Sequence, residues 1–309
     1  MATIRKAKNA GAFYPGNPKE LEKLIEASFK DSKFGSGKDL AIGTPPESGR
    51  SILGGICPHA GYVYSGFAAA YTHQEIVSQG VPDIYIILGN DHLGYNNIAI
   101  MTEGIWETPL GNLEIDKSIA KVIADKSKLI KADKDAFFIG SWGRAEHNIE
   151  VQLPFIKYIA NKSGKDVKIV TLKFGYGASI EQSARAGEEL GNILKALNTD
   201  KDIVIIASSD MFHQEPHNYM EPMEDIKFYK EKEQSAIKAI EALDYTYFKN
   251  NGSKHTICGQ RPISAAITAT KILGATHARR LTFYTSYESQ GGTGPSSYVV
   301  AYLSAVFEK

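Results

Sequence analysis

The chain has 309 residues, and its 35 lysines and arginines balance its 35 aspartates and glutamates, so the net charge is zero. This balance argues against a broad basic face, and therefore against nucleic acid or a membrane surface as a partner. No run of about 18 apolar residues occurs, and no apolar stretch of signal-peptide length follows Met1, so no membrane segment is expected. The 2 cysteines cannot form a disulfide framework, which favours a cytoplasmic protein in a reducing compartment.

Strand-like apolar runs alternate along the chain with amphipathic or alanine-rich helical stretches. The predicted strands are 52–57, 83–88, 167–172, 202–207, 280–287 and 297–306. Helices are predicted near 66–79, 116–127, 148–161, 179–197, 223–242 and 261–273. This alternation predicts an α/β fold, a single layered domain with a mixed, largely parallel central sheet flanked by helices.

Three segments depart from that alternation. Residues 33–50 are rich in glycine, serine and proline, which predicts a surface loop. Residues 98–101 and 113–115 flank a turn at 108–112, and this pattern predicts a hairpin. The last two strands are joined by a connection too short for a crossover helix, so we expect that pair to be antiparallel.

Three of the predicted strands each lead into a histidine, and these are His59, His92 and His213. Asp91 and Asp210 lie next to two of these strand ends. In open α/β sheets, ligands bind outside the carboxyl ends of the strands. The convergence of histidines and aspartates therefore predicts a metal site or an acid/base site.

Two acidic residues have alternative interpretations. Asp210 precedes His213 by three positions, so it either orients that histidine or caps the next helix. His213 is a candidate general base because imidazole titrates near neutral pH. Glu146 opens a predicted helix, where its charge is stabilising by itself, while the adjacent His147 is free to face a substrate.

The two cysteines lie in different contexts. Cys258 is followed by glycine and stands just before an alanine-rich helix, whose dipole favours a thiolate. It is therefore a candidate nucleophile or soft metal ligand. Cys57 lies inside an apolar strand and is expected to be an inert core thiol.

Taken together, these segments resemble the Memo family, which is also named AmmeMemoRadiSam system protein B in bacteria and archaea. The matching segments are 10–15, 58–66, 89–92, 146–154, 208–213 and 258–259. Because they extend over nearly all of the chain, the resemblance implies one Memo-like domain over residues 1–309. It also implies a fold similar to the LigB-like class III extradiol dioxygenases, which use non-haem iron(II).

The resemblance implies a metal site at His59, His92 and Cys258, with Asp210 and His213 beside it. We expect these two to be the catalytic residues, with His213 moving protons and Asp210 positioning it. Memo proteins bind copper or iron there and have been linked to redox chemistry, and eukaryotic members are associated with phosphotyrosine-peptide binding. Iron(II) or copper is therefore the expected cofactor, with zinc as an alternative, because this donor set suits those metals better than magnesium or calcium.

The cleft is expected to bind a small molecule or a peptide, whereas the oligomeric state is left open. The residues expected to contact the substrate are Tyr62, Asp91, Glu146, His147 and Arg261. Three functions remain in competition. They are a metal-dependent redox enzyme, a non-catalytic module that binds peptides or thiols in a vestigial dioxygenase-like pocket, and a cysteine- or zinc-dependent hydrolase with Cys258 as nucleophile and His213 as base.

Overall fold

The structure is a computed structural model that describes residues 3–138, 140–141 and 144–309. Its strands are β1 (Ile4–Arg5), β2 (Ile52–Cys57), β3 (Ile84–Asn90), β4 (Ile98–Met101), β5 (Ile105–Thr108), β6 (Gly111–Glu114), β7 (Ile130–Ala132), β8 (Gly140–Ser141), β9 (Arg144–Ala145), β10 (Lys168–Phe174), β11 (Ile203–Ser208), β12 (His213–Gln214), β13 (His277–Thr285) and β14 (Val299–Glu308). Its α-helices are α1 (Pro18–Lys30), α2 (Tyr62–Val77), α3 (Lys117–Lys126), α4 (Leu153–Ser163), α5 (Ile180–Lys195), α6 (Met223–Glu241), α7 (Thr246–Asn251), α8 (Gln260–Ile272) and α9 (Ser286–Ser289). Short 3-10 helices cover Asp135–Phe137, Glu150–Gln152 and Gly252–Lys254.

A mixed sheet forms the centre of the protein. Its strand order in the described part of the chain is β12-β14-β2-β11-β3-β10-β4-β7, and β13 also pairs with β14. The four central strands β2, β11, β3 and β10 are parallel to one another. The flanking strands β14 and β4 pair antiparallel with β2 and β10, respectively. The predicted mixed α/β fold is confirmed.

Helices cover both faces of this sheet. The crossovers β2–α2–β3 and β10–α5–β11 run in opposite directions along the strand order, so right-handed connections place α2 and α5 on opposite faces. The helix α4 packs on α2, and α8 packs on α5 and on the central strands. Every residue of β2 and β3 is buried, as expected for strands covered on both faces. Across the described ranges, no helix is long and apolar enough to traverse a membrane.

The directions of the central strands position the functional site. Because β2, β11 and β3 are adjacent and parallel, their carboxyl ends meet at one edge of the sheet. The chain leaves β2 toward α2 on one face, and after β11 it leads to α8 on the other face. Such a change of face opens a crevice between the strand ends.

The predicted strands and helices all have counterparts in the structure, but one arm of the predicted hairpin is wrong. The strand β4 (98–101) joins the central sheet beside β10, and the hairpin is formed by β5 and β6. All four residues of β4 are buried, which is typical of a central strand, whereas β5 buries only alternate residues. The last strand pair, β13 and β14, is antiparallel as predicted.

The helix α1 is absent from the sequence-based predictions, although local signals for it exist. Asn17 caps its first turn by accepting the backbone N–H groups of Lys19 and Glu20, and proline occupies the first helical position. Leu21, Ile25 and Phe29 then recur every four residues and are buried against the core.

His73 is buried in α2 and makes the stability of the fold depend on pH. Its ring stacks on Phe155 with centroids 5.5 Å apart, and burial lowers its pKa to about 3. Since the unfolded chain binds this proton near pH 6.5 and the folded chain does not, stability is fully present above that pH and falls on acidification.

We expect His73→Phe to remove this part of the acid sensitivity. Between pH 7 and pH 5, the wild-type free energy of unfolding should fall by about 2 kcal/mol more than that of the variant. Urea denaturation at the two pH values measures this difference. His217→Gln, at a side chain that is 86% exposed, is the control and should behave as wild type. Equal pH dependence in wild type and His73→Phe would contradict the assignment.

Candidate metal centre

Three side chains that could ligate a metal ion meet at the carboxyl edge of the sheet. His59 follows β2, His92 follows β3, and Cys258 precedes α8. One donor atom from each lies within 4.8 Å of the other two. The Cys258 Sγ lies 3.2 Å from His59 Nε2. The structure therefore brings together the three residues expected to form the metal site.

A hydrogen-bond network fixes the ring orientation of His59. The Ser208 hydroxyl lies 3.0 Å from His59 Nδ1, donates to the Asn148 carbonyl at 2.8 Å and accepts from Gln152 Nε2 at 2.9 Å. Because its one proton goes to the carbonyl, the hydroxyl accepts from His59 Nδ1–H. The lone pair of His59 is therefore on Nε2, which faces Cys258.

Glu146 fixes His92 in the same way. Its carboxylate accepts the backbone N–H of His92 at 2.6 Å and lies 2.9 Å from Nδ1. Since a carboxylate only accepts, Nδ1 carries the proton, and Nε2 is left for a metal. A carboxylate behind a ligating histidine is the usual way in which proteins orient such ligands. Glu146 was expected to contact substrate, but the structure places it behind His92, where it is 6% exposed.

Burial and mutual charge set the protonation of the cluster. Burial alone would lower the pKa of His92, but hydrogen bonds and charges from Cys258 and Glu146 raise it to about 11. Burial, together with the charges of the neighbouring histidines, holds the pKa of His59 well below its usual range. Burial also raises the pKa of the Cys258 thiol. A metal ion bound here would have to displace protons from His92 and Cys258, so its binding would strengthen with increasing pH.

His147 lies between two other rings at the mouth of the cluster. It stacks on Phe13 with centroids 4.3 Å apart and on His92 with centroids 4.9 Å apart. Burial, opposed by the charge of Glu146, lowers its pKa to about 4, so the ring is neutral near pH 7.

A pocket of about 440 Å³ lies next to the cluster. His147, Asp210 and His213 contribute polar groups to its lining. Its aromatic walls are Phe13, Tyr64, Tyr298 and Tyr302. The pocket therefore combines apolar ring surfaces with groups that can exchange protons.

His213 is oriented by backbone carbonyls. Its Nδ1 lies 3.1 Å from both the Met211 and the Thr256 carbonyl oxygens, so Nδ1 carries the proton and Nε2 is free to act as a base. The Asp210 carboxylate instead accepts the backbone N–H of His59 at 2.8 Å, and burial raises its pKa. Asp210 was expected to orient His213, but in the structure it contacts the His59 backbone, and carbonyl oxygens orient His213 instead.

The structure does not bring Tyr62 or Asp91 to the pocket wall. Tyr62 is 1% exposed, and its hydroxyl donates to the Val151 carbonyl at 2.6 Å. Asp91 is fully buried, where it pairs with Lys173 and accepts the Tyr95 backbone N–H. It thereby holds the loop that carries His92.

Arg261 lies in the first turn of α8. It donates to the carbonyl oxygens of Ala178 at 2.6 Å and Tyr176 at 3.1 Å, and so holds the loop after β10. Its role toward a substrate stays a prediction.

Most of the residues that the sequence did not reveal orient the site histidines from behind. Ser208 contacts His59, Gln152 contacts Ser208, and Thr256 contacts His213. Ser208 is the last residue of β11, two positions before Asp210, and its place at the strand end is a local signal. Phe13 lies in a segment with glycine and proline, which is a weak local signal. For Gln152 and Thr256 no local signal exists, because their partners are far away in the chain.

The fold and the cluster together define an α/β protein with a His/His/Cys cluster at the carboxyl edge of its central sheet. The sequence model of the Memo family, described as Memo-like protein, matches residues 5–306. The chain belongs to the Memo family, which confirms the resemblance seen in the sequence.

Several archaeal relatives are similar over nearly their whole length. A MEMO1 family protein of Pyrococcus furiosus is 34% identical, with 99% of each chain covered. One of Saccharolobus islandicus is 35% identical, with 96% of this chain and 97% of the relative covered. One of Thermococcus onnurineus is 36% identical, with 97% and 98% covered. A crystal structure of an uncharacterized protein from Escherichia coli K12 covers 84% of this chain and all of that chain at 12% identity, but its TM-score of 0.42 is too low to bear on the fold.

We expect Glu146→Gln to lower the pKa of His92 in the metal-free protein. The amide keeps the shape of the side chain but removes the negative charge beside Nδ1, so the pKa should fall by about 1 to 3 units. Nuclear magnetic resonance titration of the imidazole measures it. Glu103→Gln removes a carboxylate from an exposed ion pair with Lys117 and should leave the pKa unchanged. An unaltered pKa in Glu146→Gln would show that the carboxylate does not control this ring.

Proposed function

We propose that this protein binds iron or copper through His59, His92 and Cys258 and supports redox chemistry on a ligand in the adjacent pocket. The observation that carries the proposal is the placement of the three donor atoms within 4.8 Å of one another. Both histidines have Nδ1 occupied by a hydrogen-bond partner, so both present Nε2 to the same space. This preorganisation favours a metal site over a purely structural role for the cluster.

The donor set fits a borderline or soft transition metal. Two imidazoles and one thiolate suit iron, copper or zinc, whereas magnesium and calcium prefer oxygen ligands. A bound iron or copper ion would supply one-electron chemistry beside the pocket. The chain itself supplies binding, orientation and proton transfer.

His213 and the aromatic walls would act on the ligand. With Nδ1 held by carbonyls, His213 can accept a proton at Nε2 from a molecule in the pocket. Phe13, Tyr64 and Tyr298 offer ring surfaces that would bind the apolar part of a small molecule or a peptide side chain and exclude water. Asp210 supports His59 through its backbone and is a positioning residue in this proposal.

We expect metal binding to depend on the three ligands and not on the base. Protein purified without oxygen should contain close to one iron or copper ion per chain, and His92→Ala and Cys258→Ser should lose it. His213→Ala should retain it, because His213 is not among the clustered donors. Elemental analysis, with circular dichroism to verify folding, measures this. Failure of folded wild type to take up either metal on reconstitution would refute the metal site.

A second measurement distinguishes redox chemistry from ligand binding alone. We expect iron- or copper-loaded protein to consume oxygen in the presence of a thiol such as glutathione, and zinc-loaded protein to consume none, because zinc has no redox chemistry. His213→Ala should slow the reaction while keeping the metal. If glutathione binds equally well with and without metal and no oxygen is consumed, the protein is a binding module.

A further inference from the structure

Cys258 lies on a segment without regular secondary structure. Residues 255–258 lie between the 3-10 helix Gly252–Lys254 and α8, which begins at Gln260. His59 and His92 follow directly from central strands, but the position of Cys258 depends on what holds this segment. Its side-chain contacts therefore decide where the thiol lies.

His255 fastens the segment to the helices behind it. Its Nδ1 donates to Glu233 Oε2 at 2.7 Å, and its Nε2 lies 2.8 Å from the Tyr247 hydroxyl. Glu233 belongs to α6 and Tyr247 to α7. The side chains of His255 and Glu233 are each 2% exposed. Removing one partner of such a buried pair leaves the other without compensation, so the contact holds the segment firmly.

Thr256, the next residue, connects the same segment to the base. The Thr256 Oγ1 accepts the backbone N–H of His213 at 2.7 Å and donates to the His213 carbonyl at 2.9 Å. The Thr256 carbonyl accepts from His213 Nδ1. Just beyond Cys258, the Gly259 N–H donates to the Ser209 hydroxyl at 3.0 Å. One short segment thus sets the position of both the thiol and the ring of His213.

We propose that Glu233 and His255 are positioning residues of the metal centre, which fix segment 255–258 and so place Cys258 Sγ against His59 Nε2. Neither residue is among the clustered donors, and both act through the backbone of this segment. The inference rests on the proposed metal-binding function. Burying a histidine and a carboxylate costs desolvation energy. In this proposal the buried pair is kept because it fixes the position of the Cys258 thiol.

The test uses three variants and one matched control. Glu233→Gln keeps the shape of the carboxylate, His255→Phe keeps a ring without its hydrogen bonds, and Tyr247→Phe removes a single hydroxyl. His277→Phe alters a histidine that also pairs with a glutamate, Glu308 at 3.3 Å, but that is 52% exposed on β13. The control should match wild type in every measurement.

The first readout is the rate at which iodoacetamide alkylates Cys258 in the metal-free protein. Cys57 is fully buried, and Cys258→Ser gives the background rate. We expect His255→Phe and Glu233→Gln to raise the rate about tenfold, because a loosened segment opens more often. This readout requires no metal.

The second readout is Co²⁺ binding, followed by the thiolate-to-cobalt charge-transfer band. We expect the Kd for Co²⁺ to rise about 10- to 100-fold in His255→Phe and Glu233→Gln, with a shifted or weakened band. Tyr247→Phe should have a smaller effect in the same direction.

The proposal would be overturned if folded Glu233→Gln and His255→Phe lost thermal stability but kept a wild-type alkylation rate and cobalt band. That result would show a merely structural role for the pair. If His255→Phe does not fold, Glu233→Gln decides the question, since its side chain is nearly isosteric. If wild type binds no Co²⁺, the proposed metal function fails, whereas the alkylation rates still accept or reject the positioning role.

Discussion

The parallel alignment of β2, β11 and β3 is the constraint on which the candidate site depends. These strands are adjacent and end at the same edge of the sheet. The residues that follow them are therefore close in space, although they are far apart in the chain. His59 and His92 follow the two outer strands of this trio, and Asp210 follows the middle one. The change of face between α2 and α8 keeps the edge open as a crevice and brings Cys258 to it.

A hydrogen-bond partner of each site histidine then determines which of its two ring nitrogens faces the crevice. Ser208 and Glu146 occupy Nδ1 of His59 and His92, and backbone carbonyls occupy Nδ1 of His213. Three histidines are therefore left with Nε2 as the reactive nitrogen. The surrounding burial lowers the pKa of His59 and so favours its neutral form, while Glu146 and Cys258 raise the pKa of His92 and so favour its protonated form.

Buried ion pairs hold the loops that carry these groups. Lys173 pairs with Asp91 beneath the loop of His92. Arg5 pairs with Glu150 at 3.1 Å, and Glu150 also accepts from the Tyr14 hydroxyl at 2.8 Å, which fastens the segment that presents Phe13. Such pairs contribute little net stability, but removing one partner is costly because it leaves the other charge buried and unpaired.

The sequence by itself determined the α/β class, the central strands and the strand-end residues, because apolar periodicity and turn residues are local signals. It could not assign β4 to the central sheet or give Glu146 its place behind His92, because those facts depend on partners far away in the chain. The same holds for His255, which has no informative neighbours in sequence but meets Glu233 and Tyr247 in space. Only the tertiary structure decided which nitrogen each histidine presents, since a ring is oriented by hydrogen bonds that form after the chain has folded.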